Sequence, residues 1–140
     1  MSTIYTRRKT KKTKVAILLL SVLVIIIGFG YWKFFSLQGV PKGELIHTVK
    51  SPDGKHLIKT YFHNAGSLSA DAVRGELVNL HSNSAKNIYW NYPDTDPYIE
   101  WIDNDRVRIG DQTLHISKNE TYDWREDPKH IRELPKQFGQ

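Results

Sequence analysis

At 140 residues the chain has room for one folded domain and an anchor, but not for two independent cores. The formal charge of +5 is unevenly placed: residues 1–32 hold six cations (Arg7, Arg8, Lys9, Lys11, Lys12, Lys14) and no acid, whereas from Lys33 onward 14 Lys or Arg face 15 Asp or Glu. That near-balance leaves no basic face for phosphates and excludes a nucleic-acid partner, while the absence of cysteine excludes disulfides, thiolate zinc, a thiol nucleophile and cysteine lipidation.

Residues 1–14 form a basic tail. Residues 15–32 read VAILLLSVLVIIIGFGYW, eighteen in a row without a charge. As a helix at 1.5 Å per residue this run spans about 27 Å, close to the hydrocarbon thickness of a bilayer. Phe34 and Phe35 extend it to residue 35, Lys33 can snorkel toward the headgroups, and Tyr31 and Trp32 lie where interfacial aromatics belong. A transmembrane helix over 15–35 is therefore expected. Six cations before the run and one just after it place the N-terminus in the cytoplasm and the remainder outside. A cleaved signal peptide is the weaker reading, because Gly28-Phe29-Gly30 is a poor cleavage site. A buried core helix would be apolar all round in a chain too short to surround it.

Gly39, Pro41 and Gly43 mark a linker over 36–43. A mainly β domain over 44–123 follows, read as a small antiparallel sheet or sandwich of six to seven strands. Residues 45–50 and 57–63 flank Ser51-Pro52-Asp53-Gly54, whose proline and glycine preset a hairpin turn. Residues 73–80 form the next strand, ending at His81-Ser82-Asn83-Ser84. In 88–92, alternation puts Ile88, Trp90 and Tyr92 on one face and Tyr89 and Asn91 on the other. After the break at Pro93-Asp94-Thr95-Asp96-Pro97, residues 98–102 and Arg106–Ile109 flank Asp103-Asn104-Asp105, and Gly110-Asp111 turns the chain into residues 112–116. Residues 124–140 read as a polar, peripheral tail, with one or two helical turns over 129–134. The SPDGKHLI segment has the look of a propeller-blade turn, but the domain is too short for a closed propeller.

Taken together, SPDGK at 51–55, AVRGELVN at 72–79, NIYWNY at 87–92 and IEWIDNDRV at 99–107 resemble a Gram-positive family of short proteins with a C-terminal domain of unknown function. The resemblance covers residues 43–123. It implies tethering to the membrane by a helix or a lipidated cysteine, of which only the helix applies here, and it implies no activity.

Few residues point to chemistry. His47, His56, His63, His81, His115 and His130 form no tight ligand motif, so no metal or cofactor is expected. Asp94, Asp96, Asp103 and Asp105 make two D-x-D pairs, expected about 17 Å apart across one strand and read as turn chemistry. No serine–histidine–acid set, phosphate loop or carboxylate pair can be named, so no catalytic residue is assigned and the chain leans away from enzymes. Arg74 and Glu76, two apart on a strand, project from one face and are candidates for a ligand; the plainer reading is a solvent-facing ion pair. Gly75 between them signals a bulge or a close backbone approach. Trp90 with Ile88 and Trp101 with Ile99 are expected in the core, leaving Tyr89 and Tyr98 outside as a surface for a peptide or glycan.

The leading expectation is thus a signal-anchored, single-pass protein of the cell membrane. It contacts the bilayer through residues 15–35, and its extracytoplasmic domain binds an envelope protein or glycan. The alternatives are a small envelope enzyme with a site assembled from loops, and an accessory subunit of a membrane complex.

Overall fold

The computed structural model describes residues 2–130 and divides the chain into two compact units, one ending at Gly39 and the other beginning at Val40.

The first unit is a single helix, α1 (Ser2–Phe35), closed by a 3-10 turn at Leu37–Gly39. Its stretch Thr10–Phe35 is long and apolar enough to cross a membrane, and none of its large apolar side chains is covered by protein. That exposure removes the core-helix reading. A continuous helix answers the apolar run because it satisfies its own backbone hydrogen bonds. The hydroxyl within the run does the same, with Ser21 Oγ donating to the Ile17 carbonyl at 2.8 Å. Aromatic pairs gather toward the C-terminal end, Tyr31 stacking on Phe35 at 4.7 Å and Phe29 lying 6.2 Å from Trp32.

The second unit is mainly β and holds two sheets. Strands β1 (Glu44–Lys50), β2 (His56–His63), β3 (Ala72–Asn79) and β4 (Ser84–Asn91) form an antiparallel meander, joined on the far side of β4 by the short β8 (Tyr122–Asp123). The second sheet is the antiparallel set β5 (Ile99–Trp101), β6 (Arg106–Ile109) and β7 (Gln112–His115). One apolar core joins them: Ile58, Val73, Leu77, Ile88 and Tyr89 from the larger sheet, and Val107, Ile109 and Leu114 from the smaller. Ile46, Ile99, Trp101, Ile116 and Tyr122 border it.

The expected hairpins form where turn chemistry demanded them. Gly54 takes φ +71°, Ser51 Oγ donates to Asp53 Oδ1 at 2.7 Å, and the Lys55 amide donates to the same oxygen at 3.0 Å. Asp103 accepts from the amides of Asp105 and Arg106 and from Arg106 Nε, and Asp105 Oδ1 accepts from the Ser117 amide. Asp103 thus fills the turn role read for it, whereas Asp105 ties its turn to the segment after β7, twelve residues on.

Three features depart from the sequence reading. Strand β4 begins at Ser84, within what reads as a polar turn, because Ser84, Ala85, Lys86 and Asn87 pair with β3 despite lacking an apolar rhythm. Strand β8 is an eighth strand, and it runs parallel to β4 rather than antiparallel. The third concerns the alternation along β4. Gly75 pairs with Tyr89, but Glu76 pairs with Asn87, so Ile88 is an extra residue in a bulge. The bulge sends both Ile88 and Tyr89 into the core, each about 1% exposed, and leaves Trp90 paired with Arg74 on the opposite face. The outward orientation expected for Tyr89 is overturned by this one-residue shift, while Trp90 is buried as expected, at 8% exposure, but on the face opposite Ile88.

Gly75 makes the arrangement fit, since a Cβ there would lie 2.8 Å from Tyr89 Cβ and 3.4 Å from Ile109 Cδ1. Gly75→Ala is expected to destabilise the unit by about 1–3 kcal/mol, the usual cost of overpacking a closed core. Denaturant unfolding of the full-length protein in detergent measures this. An unchanged midpoint would mean that the strands part at no cost.

Candidate functional site

Period-two alternation places Tyr61, Arg74 and Trp90 in one row across β2, β3 and β4, on the sheet face away from the shared core. There Arg74 Nη2 lies 3.4 Å from Glu76 Oε2, with side chains only 8% and 15% exposed. The solvent-facing ion pair of the sequence reading is therefore a buried one. The guanidinium lies over the Tyr61 ring, 4.4 Å from its centroid, while the Tyr61 hydroxyl donates to Glu76 Oε1 at 3.3 Å. Burial, then the Glu76 charge, pushes the Tyr61 phenol up. Arg74 Nε is buried without a partner among the described residues. A charge so enclosed favours a scaffold role over direct contact with a large partner.

Tyr89 is equally enclosed. Its hydroxyl donates to Asp94 Oδ2 at 2.8 Å, and Asn91 Nδ2 donates to the same oxygen at 3.0 Å. Asp94 thus ties the loop before β5 to the core, a use that spacing alone did not reveal. Desolvation, reinforced by the Asp94 charge, pushes the Tyr89 phenol far up. Neighbouring Tyr122, 5.6 Å away ring to ring, is pushed up to about 12 by burial and its bond to Asp127.

Of the four candidate residues, Tyr98 alone faces solvent, at 63% exposure. It borders a cavity of about 340 Å³ lined by His47, Val49, Asp96, Pro97, Tyr98 and Ile99. His47 Nε2 and Asp96 Oδ1 lie 2.5 Å apart, both well exposed. The Arg108 guanidinium lies 5.6 Å from the Tyr98 ring centroid and pairs with Glu100 at 3.0 Å, which steadies the ring without covering it. The structure therefore separates the candidates, with Arg74 and Glu76 on one face, Tyr89 in the core and Tyr98 at this groove. His47 and Asp96, 49 residues apart, are brought together only by folding. An imidazole held by a carboxylate can relay a proton, and the Tyr98 hydroxyl lines the same groove.

The first residues of the expected tail pack on the sheet. Trp124 packs on Tyr92 with ring centroids 4.9 Å apart, and Arg125 binds Asp123 through a 2.5 Å contact. Most of the helical turn expected over 129–134 lies outside the described residues.

The tyrosines predict an alkaline limit. Unfolded tyrosine loses its proton near pH 10, whereas Tyr122 holds its own to about 12 and Tyr89 beyond its ordinary range. Between those values the folded state binds more protons than the unfolded one, so stability falls as pH rises. Unfolding midpoints measured upward from about pH 9 should decline from near 10, and less steeply in Tyr122→Phe; equal declines would remove Tyr122 as a cause.

Comparison with known proteins adds kinship without chemistry. A protein of Bacillus subtilis (strain 168) described as "Uncharacterized protein YrzH" is 57% identical over 39 residues, which cover 28% of this chain and 91% of that protein. No solved structure matches. A family described as "Family of unknown function (DUF5412)" matches residues 9–127, spanning both the apolar helix and the two sheets, and the chain belongs to that family.

Proposed function

We propose that the chain is a membrane-tethered binding protein. In this reading α1 crosses the cell membrane with residues 1–14 in the cytoplasm, 36–43 form a linker, and the domain over 44–123 engages a protein or glycan of a Gram-positive-type envelope. The orientation rests on the charges flanking the apolar stretch. Binding rests on the groove at Tyr98, where an exposed aromatic ring, an imidazole, a carboxylate and apolar walls converge. Such a mixture suits a partner that presents apolar faces edged with hydroxyl or amide groups. Arg74, Glu76 and Tyr89 support it from within, holding the sheet and the loop before β5 in place.

Two measurements test the reading separately. Protease added to intact cells stripped of their wall should remove a C-terminal tag without lysis; a tag protected until lysis reverses the orientation. A photoreactive phenylalanine analogue in place of Tyr98 should crosslink in cells far more than the same analogue in place of exposed Ser82 at the β3–β4 turn. Sensitivity of the adduct to a muramidase or to a protease then separates glycan from protein. Equal crosslinking at both positions would remove the groove from the proposal.

A further inference from the structure

A second cavity, of about 390 Å³, is lined by His56, Leu77, Asn79, Ser84, Ala85, Lys86, Ile116 and Asn119. Pairing register explains how the sequence builds it. His56, Asn79 and Ser84 stand in one row across β2, β3 and β4, and Leu77 and Lys86 occupy the next paired row on the same face. Asn119 closes the site from the turn after β7, where it takes the left-handed φ of +55° that asparagine tolerates. That turn is pinned by the Asp105 carbonyl on the Ile116 amide at 2.8 Å and by Glu120 on the His115 amide at 2.8 Å. Leu77 is buried beneath, while Ser84, Ala85 and Asn119 are exposed at the rim.

The hydrogen-bonding inventory of this cavity is lopsided. Asn79 Oδ1 already accepts the amides of His81 at 2.9 Å and Ser82 at 3.1 Å. Asn119 Oδ1 already accepts from Lys86 Nζ at 2.7 Å. Both amide oxygens are thus occupied, which fixes the two side-chain orientations and leaves each NH₂ group to donate. Lys86 makes no ion pair among the described residues and keeps two further N–H donors. His56 Nδ1 is buried with no hydrogen-bond partner among the described residues, and no carboxylate lines the cavity. Uncompensated donors around one ammonium, with a buried orphan nitrogen, describe a place prepared for a negative oxygen group.

We propose that this cavity binds an oxyanion, a phosphate or carboxylate group carried on a small polar molecule. Lys86 supplies the counter-charge, the NH₂ groups of Asn79 and Asn119 direct the oxygens, Ser84 stands at the rim with its hydroxyl bonded to Ser82 Oγ at 2.8 Å, and Leu77, Ala85 and Ile116 pack against the remainder. His56 completes the set as the tautomer carrying its proton on Nδ1. The proposal is independent of the Tyr98 groove, with which this cavity shares no lining residue.

The test is an NMR titration of the full-length protein in zwitterionic detergent with inorganic phosphate and, separately, acetate, each against chloride at equal ionic strength. Saturable shifts at the amides of residues 79–86 and 116–119 are expected with phosphate, acetate or both, and which anion acts assigns the group. Lys86→Gln should weaken binding by at least about tenfold. Ser84→Asp, at an exposed rim position that tolerates substitution, should abolish it by placing a like charge in the cavity. Shifts confined to the basic residues 7–14, no saturation at the cavity, or a Ser84→Asp titration equal to that of the unaltered protein would each overturn the proposal.

Discussion

Gly75 and Tyr89 approach so closely that no other residue fits at position 75 without movement, and much of the second unit follows from that contact. With no Cβ in the way, the tyrosine ring can lie across the larger sheet and reach the smaller one, whose Val107 and Ile109 belong to the same core. The ring also contacts Tyr122, so β8 is held beside β4 by the residue that fills the centre. Its hydroxyl finds Asp94, which satisfies the one polar atom the ring brings inside. A single aromatic side chain therefore joins two sheets, a terminal strand and a loop. In a unit this small, few other side chains are large enough to do so.

The bulge that accompanies this contact distributes polar chemistry between the faces. On the core side it adds Ile88 to Tyr89, and on the other it brings Arg74 beside Trp90 and over Tyr61. The neighbouring Glu76 and the Tyr61 ring beneath the guanidinium offset part of the desolvation of Arg74. Several carboxylates elsewhere are committed to local hydrogen bonds: the Ser51 hydroxyl and the Lys55 amide at Asp53, and backbone amides at Asp103 and Asp105, hold these carboxyls below the ordinary range. Acid groups consumed in this way leave donors in excess at the end of the sheet where Lys86 lies. At the other cavity, Asp96 is instead paired with His47.

Family membership spans helix and sheets alike, which makes the apolar helix part of what the family shares rather than an appendage of this chain. An apolar stretch over Thr10–Phe35 with no protein cover is a solvent mismatch that a bilayer would resolve. Confinement to a surface would also raise the effective concentration of the β unit near anything else held there, so weak contacts at a shallow groove would suffice for association.

Local physics made much of this legible from residues alone. The apolar run declared a helix because its length and lack of charge leave few alternatives. Pro52-Asp53-Gly54 and Gly110-Asp111 declared hairpins because their backbone preferences are intrinsic, and Arg106–Ile109 declared a half-buried strand through its alternation. Tertiary structure decided whatever depends on register. Nothing in NIYWN states that Ile88 is a bulge, so a period-two reading necessarily placed Tyr89 outside and Trp90 on the face of Ile88. Ser84-Ala85-Lys86-Asn87 became strand through pairing with β3, and Tyr122–Asp123 through pairing with β4, without an apolar signal of their own. The groups that converge at the two cavities, His47 with Asp96 and His56 with Lys86 and Asn119, lie tens of residues apart, and only the folded sheets measure the distance between them.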